Sequence, residues 1–534
     1  MSRRRLLIPT SVLGFALVLG VLVQGQTNPA ASLAPEALRE WLTVLSSDEM
    51  EGRATFSPGL DKAAAYISDR LREAGVKPAG DEGSYLQRVG VQTVQVTNQS
   101  TLTIEVNGQS RVFKNGDGVA FPANVGAKRT FSLTNIEFVG YGLNLGAVHN
   151  DYAGRNVRGK AVVWLGFSAP ASTRGTSASR LLGSRSSTAI DEMNAAAALS
   201  PETEGQVGAG VSSFTTTQRL DLPKAPAVML SDEVLQFLFS ASGLDYANLK
   251  AKAEQGEALP AATLKGAKLT FNLDADYRVL ATRMTQNVVG IIEGRDPQLK
   301  STYVAFGAHY DHLGTNQNIP GTATVDRIYN GADDDGSGST ALIGMANAFM
   351  AAPKPRRSLM FAWHAGEERG LWGSEYLADH PPVPIDRIVA QLNIDMIGRN
   401  RDNKDSEENT VYAVGADRIS TELHNILIDT NNRQARPLML DFEMNDPADP
   451  ERIYFRSDHF SYAAKGIPII FFFTGLHPDY HQVTDSVEKI HFQKMSHIAR
   501  LVYDIGRRLA DLDHAPVRDL KGARTGRGSR GKLQ

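Results

Sequence analysis

The chain has 534 residues, 42% of them hydrophobic and 22% charged, a globular composition with enough apolar surface for a packed core. Lys and Arg number 56 against 59 Asp and Glu, a net charge of −3, which removes any global electrostatic case for binding nucleic acid. Cysteine is absent, so disulfides, iron–sulfur clusters, zinc fingers and thiol nucleophiles are excluded, and a metal can be held only by His, Asp and Glu.

At the N-terminus, Ser2-Arg3-Arg4-Arg5 precedes an apolar run from Leu6 to Val23. A basic start, a short greasy stretch and small residues at Val23 and Gly25 have the form of a secretory signal peptide over 1–25. The alternative is an uncleaved anchor, which Pro9 and the small residues disfavour. No later stretch is apolar for long enough to span a bilayer, so the expectation is an exported protein, periplasmic or extracellular, with no stable membrane insertion. Helices are expected at Pro35–Leu45 and 60–74. In the second, Ala64, Ile67, Leu71 and Ala74 recur at three- and four-residue spacing and Gly75 closes the run. Short alternating strands follow at 102–106, Ile136–Val139 and 161–165. The stretch 172–219 is rich in Ser, Thr, Ala and Gly, and is expected as a surface loop or partly helical excursion. A strand at Ala227–Leu230 and a helix at 232–240 come next.

From about residue 286 the pattern changes to apolar strands separated by helices. Strands are expected at 287–292, 303–308, 358–363, Ile388–Ile394, Thr410–Val414 and 468–474. Helices are expected at 337–351, 373–379, 419–430, 457–464 and 492–512. This alternation predicts an α/β fold, a mostly parallel mixed sheet flanked by helices. A basic, glycine-bearing tail at 513–534 reads as frayed and solvated.

Ten of the 12 histidines lie between His309 and His497. The strand at 303–308 runs into His309-Tyr310-Asp311-His312, beyond the carboxyl end of the strand, where open α/β sheets bind ligands. An imidazole there can bind a metal through one nitrogen and donate to Asp311 through the other. Asp333-Asp334-Asp335, bounded by glycines, opens a helix. Three adjacent carboxylates repel, and a dication neutralises them; one bridging carboxylate can serve two ions. The next strand runs into Glu367-Glu368, where one acid can meet a metal while the other, confined among negative charges, becomes a general base. Asp395 ends the strand Ile388–Ile394, and a carboxylate at a buried strand end needs a partner. After 468–474 come His477 and His481, which the residue pattern alone barely separates. Parallel strands place these ends on one sheet edge, and His, Asp, Glu, Asp and His can hold two ions with one shared carboxylate. Two imidazoles favour Zn²⁺, with Co²⁺ or Mn²⁺ possible.

These motifs, with the signature Leu45-Ser46-Ser47-Asp48-Glu49-Met50-Glu51-Gly52-Arg53, resemble the di-zinc aminopeptidases of metallopeptidase family 28. The resemblance implies the zinc-peptidase, phosphorylase/hydrolase-like fold at 33–129 and 286–512. Phe138-Val139-Gly140-Tyr141-Gly142 and the stretch 156–165 resemble an inserted, mainly β protease-associated (PA) domain, taken as 130–285. Carried over by position, the metal ligands are His309, Asp334, Glu368, Asp395 and His481, with Asp334 bridging and Asp333 and Asp335 as fallbacks. Glu367 matches the general base. Tyr480 matches a tyrosine that hydrogen-bonds the tetrahedral intermediate in some branches. Asp311, Asp485 and Asp458 match supporting positions behind the ligands. The implied activity is secreted, zinc-dependent exopeptidase action on peptides, as an aminopeptidase using two Zn²⁺ ions. A glutamate-carboxypeptidase-like enzyme, for which Arg399 offers one basic residue, and a glutaminyl cyclase are the alternatives.

Overall fold

The computed structural model describes residues 29–202, 212–240, 242–316 and 326–519. The expected signal segment and the end of the basic tail lie outside them. The first of two large sheets runs, edge to edge, through Ser212–Thr217, Leu86–Asn98, Ala275–Ile292, Ser358–His364, Tyr303–His309, Ile388–Ile394, Ile469–Phe473, Thr410–Val414 and Met439–Asp441. Its four central strands are mutually parallel and are bordered on each side by an antiparallel pairing, so the sheet is mixed as the sequence predicts. The central strands are buried on both faces, which is why they read as continuous apolar runs rather than alternating ones.

Helices cover both faces. The longest, Phe492–Asp511, buries Met495, Ile498, Val502, Ile505 and Leu509 at three- and four-residue spacing. Gly506 lets it lie against the sheet, because a Cβ there would fall 2.3 Å from Phe306 Cζ. Among the described residues no helix is long and apolar enough to cross a membrane.

The second sheet has its own core, with Leu102, Phe138, Val163, Leu199, Phe239 and Phe271 at its centre. It draws on Thr101–Val106, Gln109–Asn115 and Gly118–Ala120, so it reaches further toward the N-terminus than the expected 130–285. The long ribbon Leu86–Asn98 with Ala275–Ile292 carries the chain from one sheet to the other and back. The 172–219 stretch is partly helical, as one of its two expectations had it, with short helices from Ala178–Leu181 to Thr188–Glu192, but it also supplies two strands. Ala197–Pro201 is a strand of the second sheet, and Ser212–Thr217 forms the edge of the first. Ala197, Ala198 and Leu199 are all buried, so no alternation marks that strand. The tail is also ordered further than expected: Val517 N donates to Glu422 Oε2 at 2.9 Å, and Thr421 N to Asp519 Oδ1 at 3.1 Å.

Candidate metal centre

The strands ending at His309, His364 and Ile394 are adjacent and parallel, so the residues that follow them share one sheet edge. His309 Nε2 lies 3.2 Å from Asp334 Oδ1, 3.6 Å from Asp395 Oδ1 and 4.0 Å from Glu367 Oε2. His481 Nε2 lies 3.2 Å from Asp334 Oδ2 and 3.1 Å from Glu368 Oε2. Asp334 therefore stands between the two histidines, one carboxylate oxygen toward each. All five expected ligands and Glu367 meet here.

The neighbouring candidates are engaged elsewhere. Asp333 Oδ2 lies 3.2 Å from His477 Nε2, and Asp333 Oδ1 accepts from Gly398 N at 2.6 Å. The fallback acid and the competing histidine thus occupy each other, both buried. Asp335 accepts from His309 N, Gly338 N and Met396 N, tying a strand end, a helix start and the segment after Asp395 together. Gly338 makes room for it, since a Cβ there would fall 2.4 Å from Asp335 Oδ1.

The supporting carboxylates hold backbone. Asp485 accepts from Asp333 N and Asp334 N at 3.0 and 3.1 Å. Asp311 departs from expectation: His309 Nδ1 makes its 3.0 Å contact with the Asp311 main-chain oxygen, and the carboxylate is 3.7 Å away. That carboxylate instead accepts from Glu367 N at 3.1 Å and Thr55 Oγ1 at 2.9 Å, so it positions the glutamate rather than the imidazole. Asp458 is fully buried and lies 3.4 Å from His364 Nδ1, one strand end away from the ligands. The Tyr480 ring stacks on His481 with centroids 3.8 Å apart, and its hydroxyl accepts from Arg456 Nη2 at 3.2 Å.

Two residues were not anticipated in these roles. His312 is buried and its Nδ1 lies 2.7 Å from Glu368 Oε1 and 3.7 Å from Asp334 Oδ2. The signal was present, as the second histidine of His309-Tyr310-Asp311-His312. Arg53, the end of the N-terminal signature, is buried and donates to the carbonyls of Leu45, Tyr310, Asn330 and Gly331. It fixes the backbone on both sides of the site, at Tyr310 and just before the triple acid.

Electrostatics favour a cation. Ligand atoms of His309, Asp334 and Asp395 all lie within 4.8 Å of one another, as do those of His312, Asp334 and Glu368. Asp334 Oδ2 and His481 Nε2 are buried and face each other without a hydrogen bond. Burial disfavours the charged form of the His481 imidazole, yet Asp334 and Glu368 outweigh it and push its pKa up to about 10. The same field would favour a metal ion. Burial, then Asp395 and Glu368, push the Glu367 carboxyl well above the usual carboxylate range against the opposing pull of His309. The adjoining cleft has an apolar side of Met396, Ile453, Phe471, Phe473 and Leu476, and reaches Asp334, Glu367, Asp395, Arg456 and Tyr480.

The model of Peptidase family M28 matches residues 287–505. A probable leucine aminopeptidase of Arthroderma benhamiae is 30% identical over 236 residues, covering 42% of this chain and 58% of that protein. Leucine aminopeptidase 1 of Trichophyton equinum is 27% identical over 225 residues, covering 40% and 56%. The chain thus spans just over half the length of these relatives. Among solved structures, the aminopeptidase from Aneurinibacillus sp. strain AM-1 aligns with a TM-score of 0.45 at 18% identity, over 94% of this chain and 100% of that one.

Proposed function

We propose, from the match of residues 287–505 to the model of Peptidase family M28, that the protein is an exported, zinc-dependent aminopeptidase that removes N-terminal residues from peptides. The observation that carries this reading is Asp334, set between His309 and His481 with Asp395 and Glu368 beside them. One zinc ion would be held by His309, Asp334 and Asp395 and a second by Asp334, Glu368 and His481, supplying Lewis acidity and lowering the pKa of water toward about 7.

The chain's own residues do the rest. Glu367, its main chain held by Asp311, takes a proton from the attacking water at its carboxylate. It then delivers that proton to the nitrogen of the leaving amine. The burial that raises its proton affinity suits it to both transfers. A guanidinium can only donate, so Arg456 engages the Tyr480 oxygen and leaves the phenol proton free for the developing oxyanion. Met396, Ile453, Phe473 and Leu476 offer an apolar wall suited to a leucine-like side chain, the residue named for the fungal relatives. Co²⁺ or Mn²⁺ could serve the same ligand set.

The carboxypeptidase alternative is weakened by Arg399. It is buried, and its Nη2 is committed to Asp479 Oδ2 and Asn403 Oδ1, both at 2.8 Å. The shared aspartate and full ligand set disfavour a one-zinc cyclase. The second sheet, read as a PA-like module, supplies none of the cleft residues named above and no chemistry of its own. Three matched peptides test the assignment: free N-terminus, N-acetylated, and N-acetylated with C-terminal glutamate, each with and without chelator. Chelator-sensitive shortening of the free peptide alone is expected. Release of glutamate from the acetylated peptide would overturn it.

A further inference from the structure

The loop that supplies one wall of the cleft does not rest on the peptidase sheet alone. Four contacts from the second sheet's unit grip residues 448–452. Ser177 Oγ donates to Ala448 O at 2.7 Å, Arg180 pairs with Glu451, and Arg452 reaches Glu192 Oε1 and Thr188 Oγ1, each at 2.9 Å. The last is the interior tie: the Arg452 and Glu192 side chains are 13% and 9% exposed, against 61% for Arg180. An exposed pair fixes little, whereas separating a shielded ion pair leaves a buried charge uncompensated.

What the tie holds matters to the cleft. Arg452 has φ of 51°, a left-handed conformation disfavoured for any residue with a Cβ, and the next residue is Ile453 of the apolar wall. Asp449 Oδ2 accepts from Ile453 N at 2.9 Å, and Glu451 Oε2 accepts from Arg456 Nη1 at 3.1 Å. The gripped segment therefore carries both Ile453 and the arginine that engages Tyr480.

We propose that residues 177–192 are a specificity element, in which Glu192, through Arg452, sets how far Ile453 stands into the cleft and hence which N-terminal side chains fit. This rests on the aminopeptidase reading. Glu192 is a positioning residue: it touches neither substrate nor metal. Without its carboxylate, Arg452 loses its shielded counter-ion and the strained turn before Ile453 relaxes. A leucine side chain reaches the wall and registers the change; an alanine side chain does not.

The test compares kcat and KM for alanine and leucine substrates sharing one leaving group, in zinc-loaded wild type, Glu192→Ala and Glu192→Gln. Glu192→Ala should lose about tenfold in leucine-over-alanine preference, on the scale that small changes in an apolar pocket command. The loss should fall on KM more than kcat, with bound zinc and alanine turnover unchanged. Glu192→Gln keeps an acceptor for Arg452 and should recover most of the preference. Should Glu192→Ala fail to fold, Thr188→Val, which removes the other side-chain partner of Arg452, is read in the same assay, and a two- to threefold shift is expected. An unchanged preference in a folded variant, or an equal fall for both substrates, overturns the proposal. A wild type that cleaves neither substrate overturns the aminopeptidase reading instead.

Discussion

Asp333 is paired with His477 beneath the cleft, while Asp334, one position on, faces His309 and His481. The separation is testable. Asp334→Asn should abolish tight zinc binding, whereas Asp333→Asn should keep the zinc and lower stability by about 1–3 kcal/mol, the cost of breaking a buried charge-assisted contact. Metal analysis and thermal melting separate the two. Residue types alone could not rank the three acids, because only the folded loop decides which neighbour each meets. His312 was missed for the same reason: in an HxDH run, the strand's end, not the letters, decides how far the second imidazole reaches.

Asp479 gives a pH prediction. Burial raises its pKa, but Lys489, Thr484 and Arg399 outweigh that and hold its carboxyl well below the usual range. A folded-state value below the unfolded one, about 3.9, means that the stabilisation is present above about pH 4 and lost as pH falls further. The melting difference between wild type and Asp479→Asn should therefore be largest at neutral pH and shrink below pH 4. A difference that grows in acid contradicts this account.

At the scale of elements, the sheet edge that carries the candidate site was the legible part. Strands buried on both faces announce themselves as apolar runs, and the polar residues ending them stand out against that background. The turns that hold those ends were not legible, because their acceptors are main-chain carbonyls. Arg53 shows this: its four acceptors come from three segments, two of them distant in sequence. Arg53→Lys cannot reproduce the planar fork, and should cost about 2–4 kcal/mol and weaken zinc binding, measured by denaturant unfolding and zinc titration. The boundary of the second sheet was illegible for another reason. Leu86–Asn98 and Ala275–Ile292 are single strands that run past the point where one core ends and the other begins. The strand at Ala197–Pro201 is small and buried, with no period to detect.

Across the whole molecule, the second sheet's unit reaches the loop beside the cleft: Glu192 pairs with Arg452, the residue before Ile453. The centre itself gathers Asp334, Glu367, Glu368 and Asp395 where little water reaches. Removing zinc with a chelator should therefore lower Tm, and zinc at a hundred times its Kd should restore about 2.7 kcal/mol. An unchanged Tm would mean that the carboxylates are satisfied without metal.

The most direct measurement is the zinc content and leucine-substrate kcat of Glu367→Gln beside wild type. Glutamine keeps the shape but cannot accept the proton, so two zinc ions per chain should remain while kcat falls by at least about a hundredfold. Undiminished turnover with zinc bound would contradict the role assigned to Glu367.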